Sequence, residues 1–265
     1  MHDKVQEAMS RLEQGLEQLL SEDAWKRYLR CQARFHTYSF QNTLLISLQR
    51  PEATRIAGFQ TWKTMGRHVR KGEQGIMILA PLLAKTSETT PERSLVGFRT
   101  VYVFDVSQTE GKPLPEVSVP RLEGDAAIWP RLRDACPYPI TETPDLHGAN
   151  GCFHGVQQSI SLLQSLEEQH KAKTLIHEWA HGLLHAAPDS ERVEASEIQE
   201  LEAESVAFVV SDALGLDTSS YSFGYIAHWA GKDTNEHLKR SGGRIQKAAH
   251  RILQSLQPMS SSQAS

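Results

Sequence analysis

The chain has 265 residues, of which 39% are hydrophobic and 23% charged; this composition is typical of globular proteins and excludes wholesale disorder. The sequence lacks an apolar run of membrane-spanning length, a signal-peptide pattern and a regular cysteine spacing, so we expect no membrane partner and a reducing, cytoplasmic setting. The net charge of −4 is unevenly divided: residues 1–122 hold 17 Lys and Arg against 13 Asp and Glu, and residues 123–265 hold 11 against 19. This asymmetry favours two domains with different partners, although chance scatter over one mixed surface would also produce it.

Hydrophobic periodicity predicts a helical first half with one hairpin. The predicted segments are helices over 4–20, from Ser21 and from near Ser39 to Pro51, a short helix between Gly58 and Met65, and strands over 75–81 and 98–104. Three prolines between Gly111 and Pro120 indicate a linker. We therefore predict domains over 1–122 and 123–257.

The second half alternates short strands and long helices. The predicted segments are a helix near 124–135, short strands within 138–163, and helices over 166–186, 190–214 and 234–256. Ser165 and Glu168 form a candidate capping box for the first of these long helices. Residues 258–265 are polar, and we expect a disordered tail there.

An HExxH motif carries the clearest chemistry. His177 and His181 lie four residues apart, so a helix places both imidazoles on one face, where they can bind a single metal ion. Glu178 is rotated by about 100° from His177 and can reach a water on that ion without binding it. The alternative is a core helix whose histidines are satisfied by hydrogen bonds. His185 is too far along the helix to share the ion with His177.

The third ligand is predicted to be Glu200, on the next helix. Glu197, Glu200 and Glu204 form one acidic stripe, and their mutual repulsion requires a cation or a solvated face. Two imidazoles, one carboxylate and one open position are typical of a catalytic Zn²⁺ site. Glu202 is the competing ligand, and Glu204 is placed to hydrogen-bond a ligand histidine from outside.

Such a site implies hydrolysis of a peptide bond through a zinc-activated water. Zinc lowers the pKa of water, and Glu178 accepts the proton and returns it to the leaving amine. The sequence does not choose a second oxyanion donor among Tyr221, Tyr225 and His228.

A basic segment of the first half predicts nucleic-acid binding. Between Arg50 and Lys71 there are six Lys and Arg against one acid. Cations interleaved with aromatic rings suit a single strand, since phosphates are neutralised and bases stack. The candidate contacts are Arg50, Arg55, Trp62, Arg67, Arg70 and Lys71. The alternative is a solvated basic turn with Trp62 buried in the core.

Several segments of the chain also resemble those of a known family. Residues 40–46, 51–62, 66–76 and 103–109 resemble the N-terminal domain of ArdC-type antirestriction proteins, and the resemblance covers about residues 5–110. It implies that this domain binds single-stranded DNA. Residues 173–181 and 200–204 are similar to the zincin domain of the same family and to ImmA/IrrE and SPRT-type metallopeptidases. Glu202 departs from the ArdC pattern.

Together these observations predict an α+β protein of two domains. The N-terminal domain is helical with a small antiparallel sheet, and the C-terminal domain is a zincin-like metallopeptidase. By the resemblance, the metal ligands are His177, His181 and Glu200, and the base is Glu178. The expected partners are single-stranded DNA and a protein substrate, including one bound to DNA. The alternatives are an ImmA/IrrE-like regulatory peptidase that cleaves a repressor, and a non-enzymatic DNA-coating antirestriction protein with a structural zinc.

Overall fold

The computed structural model describes residues 2–85, 93–114, 128–186, 195–223 and 234–257. These residues form an α+β structure, as predicted, that divides into two compact units, Met1–Val117 and Ser118–Ser265. The predicted boundary at residue 122 and the predicted tail over 258–265 lie outside the described residues. Within the described segments, no helix combines the length and the hydropathy that crossing a bilayer requires.

The described part of unit 1 contains four α-helices, and serine side chains cap two of them. Ser21 accepts a hydrogen bond from the amide of Ala24, and Ser39 accepts one from the amide of Asn42. Each bond satisfies an amide that the first helical turn leaves unpaired, so the helices begin where the sequence predicts. The helices are α1 (His2–Gln18), α2 (Glu22–Arg34), α3 (Phe40–Gln49) and α4 (Phe59–Thr64).

The larger sheet of unit 1 is antiparallel and has the strand order β1 (Ile56–Gly58), β4 (Arg93–Asp105), β3 (Ile76–Lys85). The predicted hairpin is present, and both of its strands are longer than predicted. One face of it packs Ile76, Ile78 and Val103 into a core with Phe35 and Ile46. The strands of unit 1 are β1 (Ile56–Gly58), β2 (Arg67–Val69), β3 (Ile76–Lys85), β4 (Arg93–Asp105) and β5 (Thr109–Gly111). Strands β2 and β5 pair with each other in a second, two-stranded sheet, and a 3₁₀ turn spans Val106–Gln108.

Side-chain amides of α3 cover the outer edge of β3. The Asn42 amide donates to the carbonyl of Leu79 and accepts from its N–H, both at 2.9 Å. Gln49 does the same for Met77, at 2.9 and 3.0 Å. The two amides take the place of a neighbouring strand, and this satisfies an edge that would otherwise pair with another chain.

Unit 2 places three long helices beside a small mixed sheet. The sheet has the strand order β6 (Ile140–Thr143), β8 (Ser159–Leu163), β7 (Gly151–His154). Strand β6 is parallel and β7 antiparallel to β8, so β7 lies at an edge. The elements are α5 (Ile128–Ala135), β6 (Ile140–Thr143), β7 (Gly151–His154), β8 (Ser159–Leu163), α6 (Glu168–Leu184), α7 (Ser196–Ala213) and α8 (Thr234–Ser255). Helix α6 carries the HExxH motif, and α7 carries the acidic stripe.

The ends of α6 and α7 test two predictions. The capping box is wrong, because α6 begins at Glu168 with Glu167 as its N-cap and without a side-chain cap bond. The predicted end of the next helix at residue 214 is confirmed: Leu214 is the C-cap of α7, and Gly215 follows with φ +78°, a conformation that glycine adopts without steric cost.

Close packing of β7 on α6 depends on Gly151. A Cβ atom at this position would lie 2.6 Å from a methyl group of Thr174 and 2.9 Å from Cγ of Glu178. Any side chain here would push the edge strand away from the helix. Gly151 therefore sets the distance between β7 and the helix face that bears Glu178.

Candidate metal centre

Two turns of α6 and one residue of α7 bring three ligand groups together. His177, His181 and Glu200 each offer a ligand atom, and all three atoms lie within 4.8 Å of one another. We call these three residues the ligand cluster. The two histidines are largely buried, whereas Glu200 is more than half exposed. The spacing of four residues on α6 puts both imidazoles on one face, and the packing of α6 against α7 supplies the carboxylate.

The separations in the ligand cluster fit a single divalent cation. The Nε2 atoms of His177 and His181 are 3.0 Å apart, and each lies 3.4 Å from an oxygen of Glu200. A tetrahedral ion with bonds of about 2.0–2.1 Å separates its ligand atoms by about 3.3 Å. These residues could therefore bind an ion with little rearrangement.

The outer nitrogens of both imidazoles are occupied by other side chains. Nδ1 of His177 lies 3.2 Å from a carboxylate oxygen of Glu204, and Nδ1 of His181 lies 3.1 Å from Nδ1 of His185. Such contacts orient a ligand imidazole and leave Nε2 for the metal. The structure thus places Glu204 where the sequence predicts it.

Glu202 lies away from the ligand cluster. Its side chain is fully buried, and one of its oxygens lies 3.0 Å from Nε2 of His185 and 3.3 Å from the guanidinium of Arg244. The interpretation of Glu202 as a competing ligand is therefore wrong. Residues at i and i+2 of a helix point in different directions, so Glu200 and Glu202 cannot face the same ion.

The carboxylates around the ligand cluster favour a positive charge there. Burial alone lowers the pKa of the His177 imidazole, but hydrogen bonds to Glu200 and Glu204 outweigh burial and raise this pKa to about 10. Hydrogen bonds from His177 and His181 hold the pKa of the Glu200 carboxyl well below its usual range. Burial raises the pKa of the Glu178 carboxyl. The cluster therefore suits a cation electrostatically.

The ligand cluster opens into a cavity of about 740 Å³. Glu178, strand β7 and the face of α6 line it, and the backbone N–H of Phe153 hydrogen-bonds the Glu178 carboxylate. Glu178 is largely buried at 8% exposure, so its carboxylate faces the cavity rather than bulk solvent. The Glu178 carboxylate, three ligand atoms and an edge strand thus surround one space.

The cavity also contains residues that the sequence leaves unassigned. The Tyr221 hydroxyl lies 3.1 Å from the Ser211 hydroxyl, and burial raises the pKa of this phenol. The Lys173 ammonium lies 5.7 Å from the centre of the Tyr221 ring. Lys173 is four residues before His177, so the helical period could have identified it. Tyr225 and His228 lie outside the described residues.

The predicted DNA contacts of unit 1 are largely used within the fold. The Arg67 guanidinium donates to the Thr109 hydroxyl and carbonyl, at 2.8 and 3.0 Å, and to the Lys112 carbonyl at 2.6 Å. Arg70 forms an ion pair with Glu73 and donates to the Ser107 carbonyl, both at 2.6 Å. These cations bind neighbouring strands and turns.

The remaining predicted contacts differ in exposure. Trp62 is 2% exposed and its indole N–H donates to the Phe104 carbonyl at 2.9 Å, so the prediction that a base stacks on this ring is wrong. Arg50 lies 3.6 Å from Glu52 and donates to the Ser107 hydroxyl at 3.3 Å. Arg55 is half-buried, and Lys71 is exposed.

Comparisons with known proteins agree with this architecture. Residues 2–113 match the family model of the N-terminal domain of anti-restriction factor ArdC. The metal-free crystal structure of antirestriction ArdC protein from R388 plasmid is similar with a TM-score of 0.56 at 20% identity, over 83% of this chain and 85% of that one. The Mn(II)-bound crystal structure of the same protein is similar with a TM-score of 0.54 at 18% identity, over 84% of this chain and 86% of that one.

A Bacillus anthracis relative, the uncharacterised protein pXO2-81, is 26% identical over 257 aligned residues. The alignment covers 78% of this chain but only 43% of that protein, so the chain spans less than half of the relative's length. The family match and the structural likeness confirm the resemblance predicted from the sequence. Unit 1 therefore matches the model of the ArdC N-terminal domain over residues 2–113, and the chain shares the fold of the two ArdC crystal structures.

Proposed function

We propose that this chain is a metal-dependent peptidase that binds single-stranded DNA and acts in antirestriction. The observation that carries the peptidase half is the convergence of His177, His181 and Glu200 beside Glu178 in one cavity. Two imidazoles and one carboxylate leave a fourth position open, as hydrolytic sites require. The Mn(II)-bound ArdC structure supports a divalent cation in this fold. We propose Zn²⁺, because imidazole and carboxylate ligands at these separations suit it.

A divalent cation bound there supplies Lewis acidity, which acidifies a water molecule and polarises a carbonyl. The protein's own residues perform the remaining steps. Glu178 accepts a proton from the attacking water and delivers it to the leaving amine. Edge strand β7 offers backbone groups to an extended peptide, which would add to the sheet as a further strand.

Unit 1 supplies the DNA-binding half of the proposal. A cavity of about 650 Å³ in this unit is lined by Arg11, Arg50 and Tyr102. The Tyr102 ring is 41% exposed, and Phe59 is 49% exposed. Tyr102 thus offers an exposed ring beside two arginines, which suits the bases and phosphates of a single strand, and Phe59 offers a second exposed ring. We therefore assign base stacking to these rings instead of Trp62.

The two halves together favour a substrate held on DNA. A peptidase attached to a DNA-binding unit meets DNA-bound proteins at a raised effective concentration. The proposed substrate is therefore a protein bound to single-stranded DNA, and the proposed setting is the cytoplasm.

Metal content tests the site directly. Elemental analysis should find about one equivalent of divalent metal in the wild type and a clear loss in Glu200→Ala. Glu197→Ala is the matched control, because Glu197 is an exposed carboxylate one turn earlier on α7. Equal metal content in all three proteins would remove Glu200 from the site.

A cleavage assay with and without single-stranded DNA tests the coupling. The proposal expects faster cleavage of a DNA-binding protein when the strand is present. A regulatory peptidase that cleaves a repressor would show no stimulation by a random strand. If Glu178→Gln protected DNA from restriction as well as the wild type does, a DNA-coating role would replace the enzymatic one.

A further inference from the structure

One lysine lies in the cavity of unit 2 and has no part in the proposed chemistry. Lys173 precedes His177 by four residues on α6, so both side chains lie on the same face of this helix. Among the described residues that line the cavity, Lys173 is the only Lys or Arg. The carboxylates of the same lining, Glu178, Glu200 and Glu204, lie beside the two ligand histidines. The cavity thus presents a cation one helical turn away from its acidic part.

A tyrosine ring supports the ammonium of Lys173. Nζ of Lys173 lies over the Tyr221 ring, 5.7 Å from its centre, and Tyr221 is itself buried. An aromatic face attracts a cation at this distance, so the contact restrains the flexible lysine chain without neutralising it. The Asp217 carboxylate, on the same loop as Tyr221, accepts hydrogen bonds from the amide and the hydroxyl of Ser219, at 3.0 and 2.8 Å, and forms no ion pair with Lys173. Within the described part of the chain, the ammonium is therefore available to a ligand in the cavity.

Two close contacts give the direction of β7 along α6. A Cβ atom at Gly151 would lie 2.6 Å from a methyl group of Thr174, and one at Gly182 would lie 2.8 Å from the ring of Phe153. Strand β7 therefore runs alongside α6, from the turn that bears Lys173 toward the C-terminal end of the helix. A peptide that adds to the open edge of β7 follows the same line.

The spacing along this line relates Lys173 to the bond that is cleaved. Four residues of helix rise by about 6 Å, and an extended peptide advances by about 3.3 Å per residue. When the scissile carbonyl lies at the ligand cluster, a substrate residue at most about two positions away passes Lys173. A carboxylate at that position would accept a charge-assisted hydrogen bond from the ammonium.

We propose that Lys173 is a specificity-determining residue that binds a carboxylate of the substrate within about two residues of the scissile bond. This inference rests on the peptidase half of the proposed function, and it defines the substrate class as peptides with an acidic group beside the cleavage site. An Asp or Glu side chain supplies that carboxylate, and so does a free C-terminus, since both carry the same charge on the same group.

Binding to the Glu178→Gln variant in the presence of Zn²⁺ tests the contact without hydrolysis. The probes are two peptide libraries of random sequence, one blocked at both ends and one with free C-termini. Mass spectrometry of the retained peptides should show a preference of about 3–10-fold for Asp and Glu over Asn and Gln, or for free over blocked C-termini. The first preference identifies a side-chain carboxylate, and the second identifies a terminal one. The absence of both would overturn the proposal.

Substitutions of Lys173 in the same background show whether this residue causes the preference. Lys173→Met should abolish it, and Lys173→Glu should replace it with a preference for Lys and Arg, a gain that an unfolded protein would not show. Lys171→Met is the matched control, because Lys171 is on the same helix but pairs with Glu142 and does not line the cavity. A preference that survives Lys173→Met would assign the carboxylate to another group.

Cleavage of the two libraries by the wild type separates this inference from the proposed function. Mass spectrometry of the products should place the carboxylate within about two residues of the new chain ends, and Lys173→Met should remove this pattern. If binding depends on Lys173 but no peptide is cleaved, the peptidase proposal fails while the carboxylate site stands. If peptides are cleaved without any preference for a carboxylate, the assignment of Lys173 alone is wrong.

Discussion

The two units use the same kinds of polar side chain in opposite ways. In unit 1, Asp105 and Asn42 bind backbone groups of their own unit, and Arg67 does the same with its guanidinium. In unit 2, His177, His181 and Glu200 face one another beside a cavity. A polar side chain that binds its own backbone supports the fold, whereas one that faces open space is available for chemistry. The difference predicts which substitutions affect stability and which affect function.

The largest expected effect is on catalysis in unit 2. Glu178→Gln keeps the size of the side chain and removes its ability to accept a proton. Peptide hydrolysis should fall by about 10²–10⁴-fold, because general-base catalysis contributes a factor of this order. The metal content should be unchanged, since Glu178 is outside the ligand cluster. Initial rates on a protein substrate and elemental analysis measure both quantities.

Glu168→Gln is the control, because it changes an exposed carboxylate in the first turn of the same helix. A Glu178→Gln enzyme that retains full activity would assign the proton transfer to another residue. The unfolding free energy should not fall in either variant, which separates this region from unit 1.

In unit 1, the largest expected effect is on stability, at Asp105. This buried carboxylate accepts hydrogen bonds from the amides of Thr54, Arg55 and Ser107, at 2.8, 3.0 and 2.8 Å. Asp105→Asn would turn an amide group toward at least one of these donors, and it should reduce the free energy of unfolding by about 2–3 kcal/mol. Urea denaturation measures the loss, and hydrogen exchange at residues 54 and 55 locates it. Glu110→Gln, in an exposed ion pair with His68, should change stability by less than about 0.5 kcal/mol.

Acidification tests the same carboxylate. Burial alone raises the pKa of Asp105, but the hydrogen bonds from Ser107, Thr54 and Arg55 outweigh it and lower this pKa below its ordinary value. Its contribution to stability is therefore present above the unfolded pKa of about 4 and lost as the pH falls through the lower, folded value. As the pH falls below about 4, the wild type should lose stability more steeply than Asp105→Asn does. Parallel curves for the two proteins would contradict this assignment.

A smaller loss is expected where α3 covers the edge of β3. Asn42→Ala removes both hydrogen bonds to Leu79 and should reduce the free energy of unfolding by about 1–2 kcal/mol. Exchange of the Leu79 amide should accelerate. Gln41→Ala, at the preceding position of α3, is the matched control. If the two variants are equally stable, the amide contacts do not contribute to the fold.

The sequence predicts the site better than it predicts the basic surface, and geometry explains why. His177 and His181 share one helix, so a fixed period of 3.6 residues determines that they meet. Glu200 is on a separate helix, and the sequence reaches it only through the acidic stripe. The contact of Arg244 with Glu202 depends on the packing of α8 against α7, which no local pattern encodes.

The same reasoning explains the error at Trp62. The local sequence around a tryptophan with neighbouring cations is the same whether its ring stacks on a base or packs in a core. Burial decides between these outcomes, and it is set by strand β4, whose Phe104 carbonyl accepts the indole proton. The fold class can be predicted from the sequence, because hydrophobic periodicity and the positions of prolines are local features. The exposure of a side chain depends on tertiary packing, and a local pattern does not determine it.

The smallest expected effect is on the salt dependence of DNA binding, and it distinguishes two cations of the basic turn, residues 66–75. Lys71 is exposed, and no described residue forms an ion pair with it, whereas three hydrogen bonds hold Arg67 against Thr109 and Lys112. If Lys71 contacts one phosphate, Lys71→Ala should reduce the slope of log affinity against log salt by about 0.7 for a single strand. Arg67→Ala should instead lower stability and leave that slope nearly unchanged. Fluorescence anisotropy with a labelled oligonucleotide over a salt series measures both slopes. The opposite result would mean that Arg67 contacts the DNA and gives up its hydrogen bonds to the backbone when DNA binds. The contrast between the two units would then no longer hold for this residue.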